Sequence, residues 1–362
     1  MDISIIEQRT REVIPEWRDA ALTLSAIEKG GSGRGFFRIE EAVTGRRIVV
    51  VSYDRKRPDN ERFAPVTAFL NRHDIPAPNL IAWDEPGNIV WVEDLGSLDL
   101  SHLEMEDWDK VRRPAYEDTL RTVMRLHSIV EAEPPQDLPE LEPAFNESIY
   151  QWEQDYFVDQ YVARFHSERE AEWLRNDSSL RDLKEELSVL PRSLVHRDFQ
   201  STNVMMVGDR SVLIDYQGLR WGVPEYDLGS LLFDPYIDFT SVERRSLADF
   251  YYGLKVESGN DQSPELFERQ LVRATTQRLM QAMGAFGFLG EVKGKKEFLE
   301  HIPAGRDRLI ELSQYEGGLA VLGELLGNLT SLHIDLKGHH LLCFSHQNRS
   351  ISLHTIQSTA KA

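Results

Sequence analysis

Apolar and polar positions alternate with a period near two in several stretches of the first hundred residues, then with a period near 3.6 to about residue 330. Residues 22–27 alternate as a half-buried strand does, 47–53 form a β-branched run, and 88–92 read as a third strand. An amphipathic helix is expected over residues 4–17, interrupted at Pro15, and another over 61–72. Residues 75–82, with Pro76 and Pro78, read as a rigid extended connection into a strand. Beyond Gly96 the pattern predicts helices over 116–130, 147–165, 168–190, 242–254, 264–286 and 302–326. Two short apolar runs, 194–195 and 212–214, interrupt this helical part and enclose a polar loop. The periodicity fades beyond about Ser331. The expected class is α+β, with a strand-rich part at 1–95, a helical part at 96–332 and a tail at 333–362.

Composition narrows the classes. The chain has 362 residues, enough for two lobes with a substantial core, and its 41% hydrophobic and 28% charged content is ordinary for a soluble globular protein. A formal net charge of -19 argues against nucleic acid or an anionic membrane as a partner. One cysteine, Cys343, excludes an intrachain disulfide and a cysteine-based zinc cluster. No apolar run approaches the roughly 20 residues a membrane-spanning helix needs. Residues 1–8 lack the basic-then-apolar profile of a signal peptide, so a cytoplasmic location is expected.

The polar loop carries the chemistry. His196-Arg197-Asp198 is followed by Asn203, five residues after the Asp, and Asp215 ends the next strand. The spacing H-R-D-x-x-x-x-N, with an Asp one hairpin later, resembles the catalytic loop of the protein-kinase-like phosphotransferases. Phosphoryl transfer is catalysed mostly by positioning and charge neutralisation. It needs a carboxylate at the acceptor hydroxyl, which Asp198 supplies, and oxygen ligands for Mg²⁺, which Asn203 and Asp215 supply. Gln200 is placed to hydrogen-bond the loop or the acceptor. Between the first two strands, Gly31, Ser32, Gly33 and Arg34 lie in a glycine-rich turn whose backbone can approach phosphate oxygens. At the end of the 88–92 strand, main-chain groups of Glu93 and Leu95 are the candidates for an adenine edge.

One departure stands out. The 47–53 strand has no lysine, the residue that in this machinery holds the α and β phosphates. Lys56, Arg34 and Arg38 are the candidate replacements, and Glu61 stands where the lysine's partner would be. Arg220 is a further candidate phosphate or substrate contact. His127 falls on the apolar stripe of its helix and reads as a core histidine; Asp227, in a helical first turn, reads as an anchor for loop amides. Tyr150, Trp152, Tyr156, Phe157 and Tyr161 read as core, with one or two available to stack on an acceptor ring. His333, His339, His340, His346 and His354 are too irregularly spaced for a metal site and read as part of a variable tail.

Taken together, His196 to Asn203, Leu213 to Gly218, Tyr226 to Asp238 and Glu93 to Gly96 make the chain, from about residue 10 to 330, similar to the aminoglycoside phosphotransferase and choline kinase superfamily. Within it, Phe199-Gln200-Ser201, Gln217 and Asp234-Pro235-Tyr236 most resemble bacterial anomeric kinases of N-acetylmuramate and N-acetylglucosamine. The resemblance implies a two-lobed protein-kinase-like fold, ATP and Mg²⁺ as cofactors, and a small sugar as acceptor. It further implies transfer to the anomeric hydroxyl in cell-wall sugar recycling. Two alternatives remain open: a kinase of the same fold acting on an aminoglycoside, choline or homoserine, and a nucleotide-binding module without transfer. A protein substrate is not expected, because no activation segment ending in Ala-Pro-Glu is present. Oligomeric state is left open.

Overall fold

Alternating side chains on two central strands give the first part of the chain two apolar faces, each covered by a helix. The computed structural model describes residues 3–27, 34–55 and 57–327. Five antiparallel strands, β1 (Leu22–Ile27), β2 (Gly35–Glu41), β3 (Arg47–Ser52), β4 (Leu80–Asp84) and β5 (Ile89–Glu93), form one sheet in the order β1-β2-β3-β5-β4. The register sets Phe37 opposite Val50 and Val50 opposite Trp91. Ile39, Ile48, Val50, Ile89 and Trp91 face one way and pack on Ile6, Ile14 and Trp17. There the Trp91 indole donates to Thr10 Oγ1 at 2.9 Å, so the buried N–H is satisfied. Val51, Val90 and Val92 face the other way, in one core with Phe63, Val66, Phe69 and Leu70 of the helix Phe63–Arg72.

The two early helices are shorter than their patterns predict. Ile3–Val13 stops before Pro15, which opens a separate turn at Pro15–Trp17. The expected 61–72 helix starts at Phe63, after a short turn at Pro58–Glu61.

Helices dominate beyond Glu93, as expected. The longest, Pro264–Gly287, runs through the centre and packs on Pro224–Leu232, Glu147–Phe157 and Ile302–Leu312. Small residues permit these approaches: a Cβ at Gly229 would lie 2.9 Å from the Thr275 Cα, and one at Gly284 would lie 2.9 Å from the Tyr156 carbonyl oxygen. The expected 168–190 helix is two, Glu168–Arg175 and Ser178–Ser188, because Asp177 caps the second by accepting from Ser179 N at 2.8 Å. The 302–326 helix is also two, Ile302–Leu312 and Ala320–Gly327, broken where Gly317 takes a φ of 83°. Tyr150, Phe157 and Tyr161 are buried core, while Trp152 is exposed and stacks on Tyr156.

Two small sheets carry the polar loop. β6 (Ser193–Val195) pairs with β9 (Arg220–Gly222), and β7 (Val204–Val207) with β8 (Arg210–Leu213), all antiparallel. β9 was not expected, since three residues carry no periodicity. Among the described residues, no helix is long and apolar enough to cross a membrane. The tail histidines, Lys56, Gly31, Ser32 and Gly33 lie outside the described residues.

Candidate active site

The loop joining β6 to β7 is held at both ends by buried carboxylates. Asp227, in the first turn of Pro224–Leu232, accepts from the backbone N–H of His196 at 2.6 Å and of Arg197 at 2.8 Å. Asp234, just past that helix, accepts from the backbone N–H and hydroxyl of Ser201 at 2.7 and 2.6 Å. The His196 ring donates through Nε2 to the Ile214 carbonyl at 2.9 Å, tying the loop to the strand that ends at Asp215. His127 bonds Asp227 through Nε2 at 3.1 Å and the Tyr251 hydroxyl through Nδ1 at 2.6 Å, so it supports the anchor from inside the core. Arg197 and Asp215 have φ of 78° and 64°, left-handed conformations costly for residues with a Cβ and held here by the bonds around them.

These constraints bring Asp198, Gln200, Asn203 and Asp215 to one cavity of about 490 Å³. Asp198 Oδ2 accepts from Arg197 Nη1 at 2.5 Å, and Oδ1 lies 3.5 Å from Arg278 Nη2. Burial pushes this carboxyl up, but the two guanidiniums outweigh it and hold the pKa at about 2. Asn203 donates through Nδ2 to the Asp198 carbonyl at 2.9 Å, which leaves its amide oxygen free as a ligand. Gln200 donates to Thr202 Oγ1 at 3.1 Å, and its backbone N–H bonds the Asp198 carbonyl at 2.9 Å. Asp215 Oδ1 accepts from Arg34 Nη2 at 2.9 Å and from Gln217 Nε2 at 3.0 Å.

This arrangement has relatives. Residues 23–259 match the model of a phosphotransferase enzyme family. The chain belongs to that family. It is an enzyme, an ATP-dependent phosphotransferase, as the loop spacing leads one to expect. It is 23% identical over 317 residues to a Pseudomonas putida protein named N-acetylmuramate/N-acetylglucosamine kinase, spanning 85% of this chain and 88% of that one. A Pseudomonas aeruginosa protein of the same name is 25% identical over 329 residues, 88% of each chain. Among solved structures, a choline kinase from Cryptosporidium parvum superposes with a TM-score of 0.58 at 15% identity, over 90% of this chain and 99% of that one. An ADP-bound aminoglycoside phosphotransferase does so at 0.57 and 16%, over 84% and 97%. These likenesses establish the two-lobed, protein-kinase-like fold.

In this phosphotransferase the candidate replacements for the strand lysine fare differently. Arg34 is buried, lies 5.7 Å and 6.0 Å from the rings of Phe36 and Phe63, and reaches Asp215. Arg38 is turned to the linker instead. It bonds both oxygens of Asp94 at 2.6 and 2.9 Å and the Gly96 carbonyl at 3.0 Å, so it is not a phosphate contact. Glu61 is not a lysine's partner, for it sits in an exposed pair with Arg55 at 3.3 Å. Arg220 lies over the Phe145 ring at 4.9 Å, where burial lowers its pKa. Glu93 donates its N–H to the Asn79 carbonyl at 3.0 Å, and its carboxylate accepts from Asn79 Nδ2 at 2.7 Å. Leu95 follows in the half-buried linker.

A divalent ion fits the donor set. Among the described residues no group of three or more His, Cys, Asp or Glu could hold a metal alone. One carboxylate and one amide oxygen at the cavity suit Mg²⁺, which is normally bound by one or two protein oxygens and the substrate's phosphates.

Sequence reasoning missed the far wall of the cavity. Tyr236, Phe286, Phe298 and His301 line it, where ring stacking had been expected from the 147–165 helix. Arg278 and Gln281 were also missed, while Asp234 and Tyr236 entered the sequence reading only as part of the resemblance, with no place at the cavity. The available signal was a set of polar residues, Arg273, Thr275, Thr276, Gln277, Arg278 and Gln281, interleaved with apolar ones on a single long helix; all six are buried there.

Proposed function

We propose that this enzyme transfers the γ-phosphoryl group of ATP to the anomeric hydroxyl of N-acetylmuramate, N-acetylglucosamine or both, giving the 1-phosphate in cell-wall sugar recycling within the cytoplasm. The single observation carrying this reading is the chemistry of the cavity. A catalytic carboxylate flanked by two guanidiniums faces a space of single-sugar size, with rings and amide groups on its walls. The names of the relatives, which match over 85% and 88% of this chain, point the same way.

Residues 1–95 form the nucleotide lobe, 96–332 the catalytic and acceptor lobe, and 333–362 a tail. Gly31, Ser32 and Gly33 meet the phosphates through backbone N–H groups, Arg34 supplies the charge that the strand lysine would, and Glu93 and Leu95 meet the adenine edge. Asn203 and Asp215 hold Mg²⁺, which neutralises charge developing on the β and γ phosphates when bound. Asp198 accepts the proton of the attacking hydroxyl. An anomeric hydroxyl is more acidic than an ordinary alcohol, so a weak base with pKa about 2 suffices late in the transfer. Gln200 positions the loop or a sugar hydroxyl.

The test is Mg²⁺-dependent ADP formation on adding each sugar, with the product's phosphate position read by ³¹P and ¹H NMR. A sugar 1-phosphate is expected. Phosphate on another hydroxyl, or turnover only with a cationic acceptor, would overturn the reading.

A further inference from the structure

Arg278 flanks the Asp198 carboxylate, and the rest of its wall has no part in phosphoryl transfer as described. Arg278, Ala282, Ala285 and Leu289 repeat at the spacing of a single helical face, and all four line the cavity. Arg278 is buried and fixed: its Nε donates to Ser230 Oγ at 3.1 Å, Nη1 to Gln281 Oε1 at 2.5 Å, and Nη2 lies 3.5 Å from Asp198 Oδ1. A guanidinium has five N–H donors in a planar fork. These contacts use three, leaving one on each terminal nitrogen with no acceptor among the described residues. The surrounding acids do not claim them. Asp234 serves Ser201, Glu153 is bonded to Tyr226 and Gln277, and Asp215 is paired with Arg34.

Geometry then limits what Arg278 meets. The reacting hydroxyl sits at Asp198, and Arg278 is within 3.5 Å of that carboxylate. Beside an anomeric carbon stand a ring oxygen, which bears no substituent, and carbon 2, so a sugar seated with carbon 2 toward Arg278 presents that carbon's substituent to it. In a 2-acetamido sugar that substituent offers a carbonyl oxygen, an acceptor for the free donors, and a methyl for the apolar steps at Ala282 and Ala285. In a 2-amino sugar it is an ammonium, which offers only donors and a repelled charge.

We infer that Arg278 is the specificity-determining residue for the acceptor, donating to the acyl oxygen of the 2-acetamido group while Ala282 and Ala285 receive its methyl. This rests on the sugar-kinase reading above. It adds a residue that reads the group beside the reacting hydroxyl and excludes amines there.

The test measures kcat and KM separately for N-acetylglucosamine, glucosamine, glucose and N-acetylmuramate. The parent is compared with Arg278→Met, Arg278→Lys and Ala282→Leu, with ATP affinity by calorimetry as a check on folding. The parent should prefer N-acetylglucosamine over glucosamine in kcat/KM by about 10²-fold or more, as a site built around a substrate hydrogen bond does. Arg278→Met should shrink that ratio by about tenfold or more, chiefly through KM for the acetamido sugars, with ATP affinity unchanged. Ala282→Leu, on the same wall, should depress the acetamido sugars and spare glucose, which keeps the test decisive if Arg278→Met does not fold. An equal fall in kcat for all acceptors with the ratio intact would reduce Arg278 to a support for Asp198. A loss confined to N-acetylmuramate would mean that the guanidinium reads a carboxylate. Either result overturns the inference. A parent that phosphorylates these sugars without preferring acetamido also defeats it, but leaves the sugar-kinase reading standing. A parent inactive on every sugar defeats both.

Discussion

Arg34 and Asp215 form an ion pair of 2.9 Å across 181 residues of chain, joining the end of the glycine-rich turn to the candidate metal carboxylate. The Arg34 side chain is only 3% exposed, whereas that of Asp215 is 40% exposed toward the cavity. Arg34, in the turn before β2, is the candidate for the cation that kinase-like machinery carries on the third strand. In the absence of nucleotide it neutralises the same carboxylate that would ligate Mg²⁺.

A guanidinium and a divalent ion competing for Asp215 must have opposed effects when Arg34 is removed. Arg34→Ala is expected to raise the affinity for Mn²⁺ without nucleotide, read by electron paramagnetic resonance, and to weaken ATP binding, read by calorimetry, each by about tenfold. Weakening of both together would show that Arg34 merely supports the local fold.

Asp198→Ala is expected to lower kcat by about 10²–10⁴-fold while leaving the Kd for ATP within about twofold, because the carboxylate is held by Arg197 and Arg278 and is not one of the two groups proposed to hold Mg²⁺ and the phosphates. Near-parent turnover with sugar would disqualify Asp198 as the base.

The pH dependence has a defined sign. Burial raises the Asp198 pKa and Arg197 and Arg278 lower it further, so the carboxyl stays ionised from neutrality down to a pKa of about 2. Its folded pKa is below the unfolded value, so its contribution to stability is present above pH about 4 and is lost as pH falls toward 2. No acid limb from Asp198 should therefore appear in kcat/KM between pH 8 and 5. In Arg197→Gln, with burial less opposed, the limb should move upward into the measurable range; an unchanged profile would refute the charge coupling.

Asp227 is wholly buried and accepts from two backbone amides and His127. Asp227→Ala strands those donors at about 1–3 kcal/mol each, so thermal denaturation should show a large loss of stability. Asp137→Ala, which breaks an exposed, solvent-screened pair with Arg72 and His73, should shift the midpoint little by comparison. Equal shifts in the two variants would count against Asp227 as the anchor.

Gly229→Ala should destabilise the protein by about 1–3 kcal/mol, since the new methyl would press on Thr275 backbone and side chain where two buried helices meet. The compensating Thr275→Ala, which removes the hydroxyl oxygen 2.1 Å away, should recover only part, because the Thr275 Cα itself is 2.9 Å away. Full recovery would place the clash in the side chain alone.

Local order was legible wherever one residue's neighbours in sequence are also its neighbours in space. The alternation in β3 and β5, the helical stripe expected over 116–130 and the spacing from His196 to Asn203 are of this kind; the strands formed where their patterns lie, and the helix formed three residues earlier, at Arg113–His127. Breaks inside helices were less visible: Asp177 and Gly317 act through a cap and a left-handed φ, which periodicity averages away.

By itself, the chain's order of residues determined the α+β architecture and the loop that brings Asp198, Asn203 and Asp215 together, because strands, turns and a short hairpin set those distances locally. Only the tertiary structure decided which cation meets Asp215 and what faces the acceptor. Arg34 and Arg278 reach the site from residues 181 and 80 positions away from their partners, and burial between packed elements, not spacing, selects them over Arg38 and Arg220. A charge's partner is settled by what the fold desolvates beside it, and no pattern along the chain records that.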